Sequence, residues 1–379
     1  MTISDPIRIG VIGAGYIAGV HGEAAAAIPG TVQIVAVADA DPAAAERAAR
    51  THGWPRSYGD VAAMLAEEQL DAVIIATWPS THLELIRQTV DAGIRVVLCE
   101  KPFVLTGEEA LEVWALADQS GATIIEAFMY RHHPALDRID QMLGRGDLGV
   151  LDHVRASFTY VNLAEENGID PTDPNRPWRF RADQGGGALY DIGAYAINAC
   201  THVAGGLPVR VAAFGRVANV FGTSDKIMGL IDYDNEVVGM IEASEISETN
   251  QELQISGDRG TLHIPATWTI YDETEIAVRR AISTSHRDQS RIFRTLEDRF
   301  TVPKSNAFTD QLVDLAAVVR GRKAPRVGLA ETVVNTITME ALATSLATRE
   351  EIDVVIPDGV AAAFRATATS TVTASATGR

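Results

Sequence analysis

Between Ile7 and Ile125 the apolar positions fall in short runs, Ile7–Ile12, Val32–Ala38, Ala72–Ala76, Ile94–Leu98 and Thr123–Ile125, separated by stretches with helical spacing. Runs apolar at nearly every position suit strands buried on both faces, so their alternation with helices predicts a doubly wound parallel sheet. Local signals agree. Asp41-Pro42 places an N-cap and a first-turn proline before an alanine-rich helix, and Thr106 with Glu109 forms a capping box ahead of another.

Beyond residue 126 the rhythm changes. A helix at Pro134–Leu143 and a strand at His153–Val161 are followed by a proline- and asparagine-rich loop, Asn162–Pro177, and a helix at Ala188–Val203. Runs at Val209–Val220, Ile227–Tyr233, Glu236–Ser244, Glu252–Ser256 and Thr261–Ile264 include several that alternate polar with apolar, and Asp234-Asn235 marks a hairpin turn. The pattern predicts an α+β domain with a large, open-faced, mostly antiparallel sheet. Helices at Asn306–Val319 and Leu329–Thr348 close it. The expected domains are residues 1–126 and 127–362, with the Ala/Thr/Ser-rich segment 363–379 disordered.

Composition narrows the partners. Of 379 residues, 46% are hydrophobic and 22% charged, which are globular values. Fifty acidic against 32 basic residues give a net charge of −18, which repels nucleic acid and anionic lipid. No apolar run approaches the roughly 20 residues that span a bilayer, and no signal peptide precedes the first strand, so a cytoplasmic protein is expected. Cys99 and Cys200 have no metal-ligand spacing and are expected as buried thiols. No metal site is expected.

The string Gly13-Ala14-Gly15-Tyr16-Ile17-Ala18 follows a strand and opens a helix. Gly13 permits a tight turn, Gly15 lets the backbone approach a pyrophosphate, and Ala18 allows the helix to pack closely on the sheet. Asp39 ends the next strand, where a carboxylate accepts the two ribose hydroxyls and repels a 2′-phosphate. Neither Ala40 nor Asp41 supplies a cation for such a phosphate, so the spacing points to NAD, with NADP as the alternative. The bland reading of Asp39 is a turn cap.

Glu100-Lys101-Pro102 lies just past the Ile94–Leu98 strand, at the same carboxyl edge of the sheet. With Thr77-Trp78-Pro79-Ser80-Thr81-His82 and the run Gly185–Tyr195, these motifs resemble the Gfo/Idh/MocA oxidoreductases, the glucose-fructose oxidoreductase and inositol dehydrogenase family, over about residues 7–355. The resemblance implies a Rossmann domain, then an open-sheet domain that mediates homodimer or homotetramer formation. It also implies hydride transfer between a nicotinamide cofactor and a sugar, cyclitol or related alcohol.

Carried over by position, Lys101 resembles the family's catalytic lysine and Asp191 the aspartate opening its Asp-x-Gly-x-His motif. Thr77, Trp78 and His82 match a cofactor-lining loop, with Trp78 replacing a proline or asparagine, and Trp178-Arg179 resembles a pair lying against the cofactor. Tyr195 replaces the commoner histidine. That tyrosine, with Asn198, is similar to the xylose and dihydrodiol dehydrogenase or ketosugar reductase branch, several members of which use NADP.

Oxidising a secondary alcohol requires a proton acceptor within hydrogen-bond reach of the hydroxyl. Lys101 is the candidate, its amine, with a reference pKa of about 10.4, needing to be lowered by burial and a cationic ring; Tyr195 would hydrogen-bond the reacting oxygen or pass its proton, and either of the two can be the immediate acceptor. Asp191 and Tyr195 lie four apart on one expected helix and share a face, and the glycines before it would permit close approach to a ligand. Glu100 joins the expected cofactor contacts, and Arg131 with Asn198 the substrate contacts. Three functions remain open: an NAD-dependent sugar or cyclitol dehydrogenase, an NADP-dependent ketosugar reductase or dihydrodiol dehydrogenase, and a non-catalytic dinucleotide sensor.

Overall fold

The structure, a computed structural model, describes residues 5–161, 168–173, 176–217, 220–270, 273–281 and 295–377, with side chains as far as 367. The chain forms two compact units, one of residues 1–132 with 306–336 and one of residues 133–305 with 337–379.

In the first unit, strands β1 (Ile7–Ile12), β2 (Val32–Ala38), β3 (Arg56–Tyr58), β4 (Ala72–Ile75), β5 (Val96–Cys99) and β6 (Thr123–Glu126) make a parallel sheet in the order β3-β2-β1-β4-β5-β6. The order reverses between β1 and β4, and that reversal opens the crevice in which such sheets bind ligands. The connecting helices are α1 (Tyr16–Ala26), α2 (Pro42–His52), α3 (Val61–Glu67), α4 (His82–Asp91) and α5 (Gly107–Ser120). Their ends follow the local chemistry. The Asp41 side chain accepts the Ala43 N–H above Pro42. Thr106 accepts the Glu109 N–H at 3.2 Å while the Glu109 carboxylate accepts that of Leu105 at 2.8 Å.

The sequence assigns the helix Ala307–Val319 to the second domain, whereas it belongs to the first unit. Its stripe Phe308, Leu312, Leu315 and Ala316 packs in one cluster with Ile7, Val32 and Leu98. Helical spacing revealed the stripe but not which core would receive it.

The second unit holds α6 (Pro134–Gly144), β7 (Leu151–Val161), α7 (Ala194–Ala204) and strands β8 (Pro208–Val217), β9 (Ser224–Tyr233), β10 (Val238–Ser244), β11 (Ile246–Asn250), β12 (Leu253–Gly257), β13 (Gly260–Ile264), β14 (Thr274–Ala281), β15 (Thr295–Val302) and β16 (Ile352–Asp353). One sheet runs β15-β14-β13-β12-β7-β10-β9-β8-β16, with β11 added to β7. Its pairs are antiparallel apart from β7 with β10. The Asp234-Asn235 hairpin forms as expected, with Glu236 in the left-handed region at φ +69°. Strand β9 buries Ile227, Ile231 and Tyr233 while Lys226, Met228 and Leu230 face outward. α7 covers β7 and β10.

Strands β11, β14 and β15 escape the sequence reading because their composition hides them: β15 reads Thr-Leu-Glu-Asp-Arg-Phe-Thr-Val and is exposed over most of its length. A final helix, Asp358–Thr377, runs through the segment expected to be disordered. Val360, Ala361 and Phe364 are buried in its first two turns, and alanine favours its continuation. Among the described residues no helix is long and apolar enough to cross a membrane. Both cysteines are buried and unbridged, and burial raises the Cys200 thiol to about 12.

Glu126, at the end of β6, is a buried acid in the first unit. Burial, with the Glu331 and Glu100 carboxylates nearby, raises its pKa to about 8 from 4.5. Between these values the folded chain holds a proton that the unfolded chain has lost, so this group lowers stability as pH rises from about 5 to 8 and changes nothing further above. Glu126→Gln, which mimics the protonated acid, is expected to match the wild type near pH 5 and exceed it at pH 8 by roughly 3 kcal/mol in urea unfolding. An unchanged difference between the two pH values would contradict this.

Candidate active site

The turn after β1 depends on glycine. Gly13 has φ +101°, and a Cβ there would stand 2.5 Å from the Ala76 carbonyl oxygen. At Gly15 a Cβ would meet nothing within 4 Å, which leaves open space in front of the α1 N-terminus. Neither a side-chain cap nor a first-turn acid occupies that helix end. Its amides therefore suit a pyrophosphate, and Tyr16, 88% exposed, stands beside them. Ile17 packs partly buried against the core and Ala18 is fully buried.

Asp39 does the turn-capping work that its bland reading allows. One carboxylate oxygen accepts the Ala14 N–H at 2.8 Å and the other the Asp41 N–H at 2.8 Å. Each oxygen retains a second lone pair, so the carboxylate can brace the turn and still accept a hydroxyl.

The Glu100–Phe103 turn leaves β5, and the Lys101–Pro102 peptide is cis. The Glu100 amide donates to Ile75 of β4 at 2.9 Å. Its side chain is buried, with one carboxylate oxygen 2.8 Å from His21 Nε2 and the other accepting the Lys101 N–H at 3.3 Å. Glu100 thus serves the turn from inside rather than facing a cofactor.

His82 departs further from expectation. It is fully buried, with Nδ1 2.8 Å from the Phe103 carbonyl and Nε2 3.3 Å from that of Thr77. Burial lowers its pKa, so the ring is neutral and donates once, through the shorter contact. His82 therefore braces the Phe103 loop. Thr77 and Thr81 share a hydroxyl hydrogen bond at 2.8 Å, and Trp78 is 41% exposed. Arg131, expected at the substrate, is buried in an ion pair with Glu331. Its guanidinium is spent on the first unit's interior.

In the second unit Asp191 lies in a π-helical turn, Leu189–Gly193, that runs directly into α7. Its carboxylate accepts Arg179 Nε at 2.6 Å and the Tyr160 hydroxyl at 3.2 Å. Burial, with the Asp191 and Glu245 carboxylates, raises the Tyr160 phenol far above its ordinary range, so it stays protonated and donates. Arg179 also lies over the Trp178 ring at 4.9 Å. Tyr195 is mostly buried, its ring 5.4 Å from Phe158 and 5.9 Å from Trp268, whose Nε1 donates to the Ser157 carbonyl at 2.8 Å. Asn198, one turn on along α7, has 0% exposure.

Two glycines of the run are required by close packing. A Cβ on Gly186 would meet the Trp178 and Arg179 carbonyl oxygens at 2.5 Å, and one on Gly187, at φ +100°, the Ser224 backbone at 2.7 Å. Gly187 N–H donates to Arg179 at 2.8 Å, knitting the Trp-Arg segment to the Asp191 helix. Tyr160, Phe158 and Trp268 went unnamed in the sequence. Tyr160 sits in an alternating strand, where nothing separates a site tyrosine from a sheet-face one. Of the Asn162–Pro177 loop, residues 162–167 and 174–175 lie outside those described.

Residues 7–128 match the oxidoreductase family with an NAD-binding Rossmann fold, and residues 136–263 match the GFO/IDH/MocA C-terminal domain. A D-xylose 1-dehydrogenase (NADP(+)) of Haloferax volcanii is 31% identical over 61% of this chain and 67% of its own. A trans-1,2-dihydrobenzene-1,2-diol dehydrogenase of Oryctolagus cuniculus is 32% identical over 66% of this chain and 73% of its own. The structure of KijD10, a 3-ketoreductase from Actinomadura kijaniata in complex with NADP and TDP-benzene, superposes with a TM-score of 0.76 at 25% identity, covering 90% of this chain and 98% of that one.

Proposed function

The chain belongs to the GFO/IDH/MocA oxidoreductases, and from that premise we propose an NAD-dependent dehydrogenase that oxidises a hydroxyl of a sugar, sugar derivative or cyclitol. The observation that carries the reading is Lys101 on a turn leaving β5, at the same sheet edge as the Gly13 turn after β1. With β4 between them, strand spacing puts the two turns about 10 Å apart.

When bound, the nicotinamide accepts the hydride. The protein's part is the proton. Lys101 Nζ takes it from the substrate hydroxyl, the Tyr195 phenol hydrogen-bonds the reacting oxygen, and Asp191, oriented by Arg179 and Tyr160, holds the substrate. Resemblance at each of these three positions supports its role. A non-catalytic dinucleotide sensor would need none of the three.

NAD is favoured because Asp39 retains acceptor lone pairs at the end of β2, where a 2′-phosphate would meet a carboxylate. A second reading, an NADP-dependent ketosugar reductase or dihydrodiol dehydrogenase, is favoured by the NADP named for the xylose dehydrogenase and the 3-ketoreductase.

A screen of monosaccharides, sugar acids, anhydrosugars and inositols should find a substrate with kcat/KM higher for NAD than for NADP; the opposite order would establish the second reading. On that substrate Lys101→Ala is expected to lower kcat by about 10²- to 10⁴-fold while NADH binding persists. Wild-type turnover in this variant would overturn the lysine's role.

The outward face of the second unit's sheet supports self-association into a homodimer or homotetramer. Phe214, Met228 and Leu230 are exposed there, and β8–β9–β10 register aligns Phe214 with Met228 and Glu242, and Ala212 with Leu230 and Met240. Such an apolar face on a solvated sheet suits a second copy of itself. Leu230→Glu should convert the oligomer to monomer in sedimentation, and a monomeric wild type would refute the assembly.

A further inference from the structure

His21 lies mid-way along α1, one and a half turns from the glycine turn, with 0% exposure. Nothing in the proposed chemistry uses it. Its Nε2 is 2.8 Å from Glu100 Oε1, its ring meets Phe308 edge-on at 5.5 Å, and its Nδ1 has no hydrogen-bond partner among the described residues. Satisfying one nitrogen and leaving the other buried is a cost that core packing alone does not require. An apolar side chain would fill the same space without it.

The other end of the contact accounts for the cost. Glu100 is a buried carboxylate whose second oxygen accepts the Lys101 N–H, and its own amide is tied to Ile75. A buried carboxylate deprived of its partner must take up a proton or swing toward water. Either change weakens its hold on the Lys101 amide. At the far side of the same turn His82 of α4 holds the Phe103 carbonyl. One buried imidazole thus meets the turn's backbone directly at Phe103, and the other reaches it through the Glu100 side chain.

We propose that His21 is a positioning residue for Lys101, holding the lysine's turn through Glu100 and tying it to the helix whose N-terminus faces the dinucleotide. This rests on the dehydrogenase reading. The contacts run from His21 of α1 to Glu100 and on to Lys101, and both links are hydrogen bonds within the first unit. Its consequence is that the amine's direction is set by the same helix that receives the pyrophosphate. A displacement of about 1 Å at a reacting group costs up to roughly 100-fold in rate, so such a tie has a measurable role.

The test uses His21→Phe, which keeps a ring and removes the donor, and His21→Gln, which keeps an N–H. Amide hydrogen exchange in the full chain is expected to quicken by roughly tenfold across residues 99–104 in His21→Phe, with β1 and β4 unchanged. In the same variant kcat should fall by about 10- to 100-fold with the sugar KM and NADH binding near wild type. His21→Gln should recover most of both. The inference is overturned if exchange at residues 99–104 stays at the wild-type rate, if it quickens equally throughout the first unit, or if His21→Gln is as slow as His21→Phe. A wild type that turns over no polyol would sink the dehydrogenase reading, whereas the exchange measurement would still decide whether His21 holds the turn.

Discussion

Gly13 is the constraint on which the first unit's site depends. With φ +101° and the Ala76 carbonyl 2.5 Å from where a Cβ would be, no other residue closes the turn between β1 and α1 without moving β4's end. That turn fixes where α1 starts, and hence where its uncapped amides point. It also brings Ala14 within reach of Asp39, so that β2's end is bound to β1's end by a carboxylate. From α1 the constraint passes to Glu100 through His21. One backbone conformation therefore places an uncapped helix end, the Asp39 carboxylate and the Lys101 turn in a common frame.

The parallel sheet was legible in the sequence because a strand buried on both faces has to be apolar at nearly every position, and runs as short and as uniformly apolar as Ile7–Ile12 and Val32–Ala38 suit an interior strand better than any solvated element. The second unit's central strands were legible on different grounds, since one face is solvated and the pattern alternates, as in β9. Strands at the sheet's far edge carry no such signature. In β14 and β15 the pairing is dressed with charges, Arg279 with Glu297 and Arg280 with Asp298, that read in sequence as a solvated loop. The helix Ala307–Val319 was visible as a helix but not as part of the first unit, because an apolar stripe states that a core exists and not which one.

The site divides along another line. The tight turn at Gly13 and the strand-end placement of Asp39 and Lys101 were legible from spacing. Residues whose role is set by a distant partner were not. His82 and Glu100 sit inside motifs that suggest ligand contact, yet their side chains turn inward to carbonyls and to His21. Arg131 does the same toward Glu331. Sequence position puts a polar group near a site but cannot say whether the fold has already claimed its hydrogen bonds.

That distinction has a physical basis in the cost of burying polar groups. An imidazole or carboxylate withdrawn from water loses several kcal/mol unless a partner restores the interaction, so each such residue behind an active turn must be matched inside the protein. The matching is what gives the turn its rigidity. In the first unit, Glu100 is satisfied by His21 of α1 and, through its amide, by β4, and His82 by the Phe103 carbonyl, and in the second Asp191 is satisfied by Arg179 and Tyr160. Asp191 differs from the others in sitting on a π-turn, where the local widening of the helix lets one carboxylate collect a guanidinium and a phenol at once. Polar residues that hold the backbone behind a turn and those that meet a ligand are therefore drawn from the same chemical types. A lysine held within ångströms of a reacting hydroxyl requires neighbours of its own chemical type, polar and hydrogen-bonding, committed to the backbone that carries it.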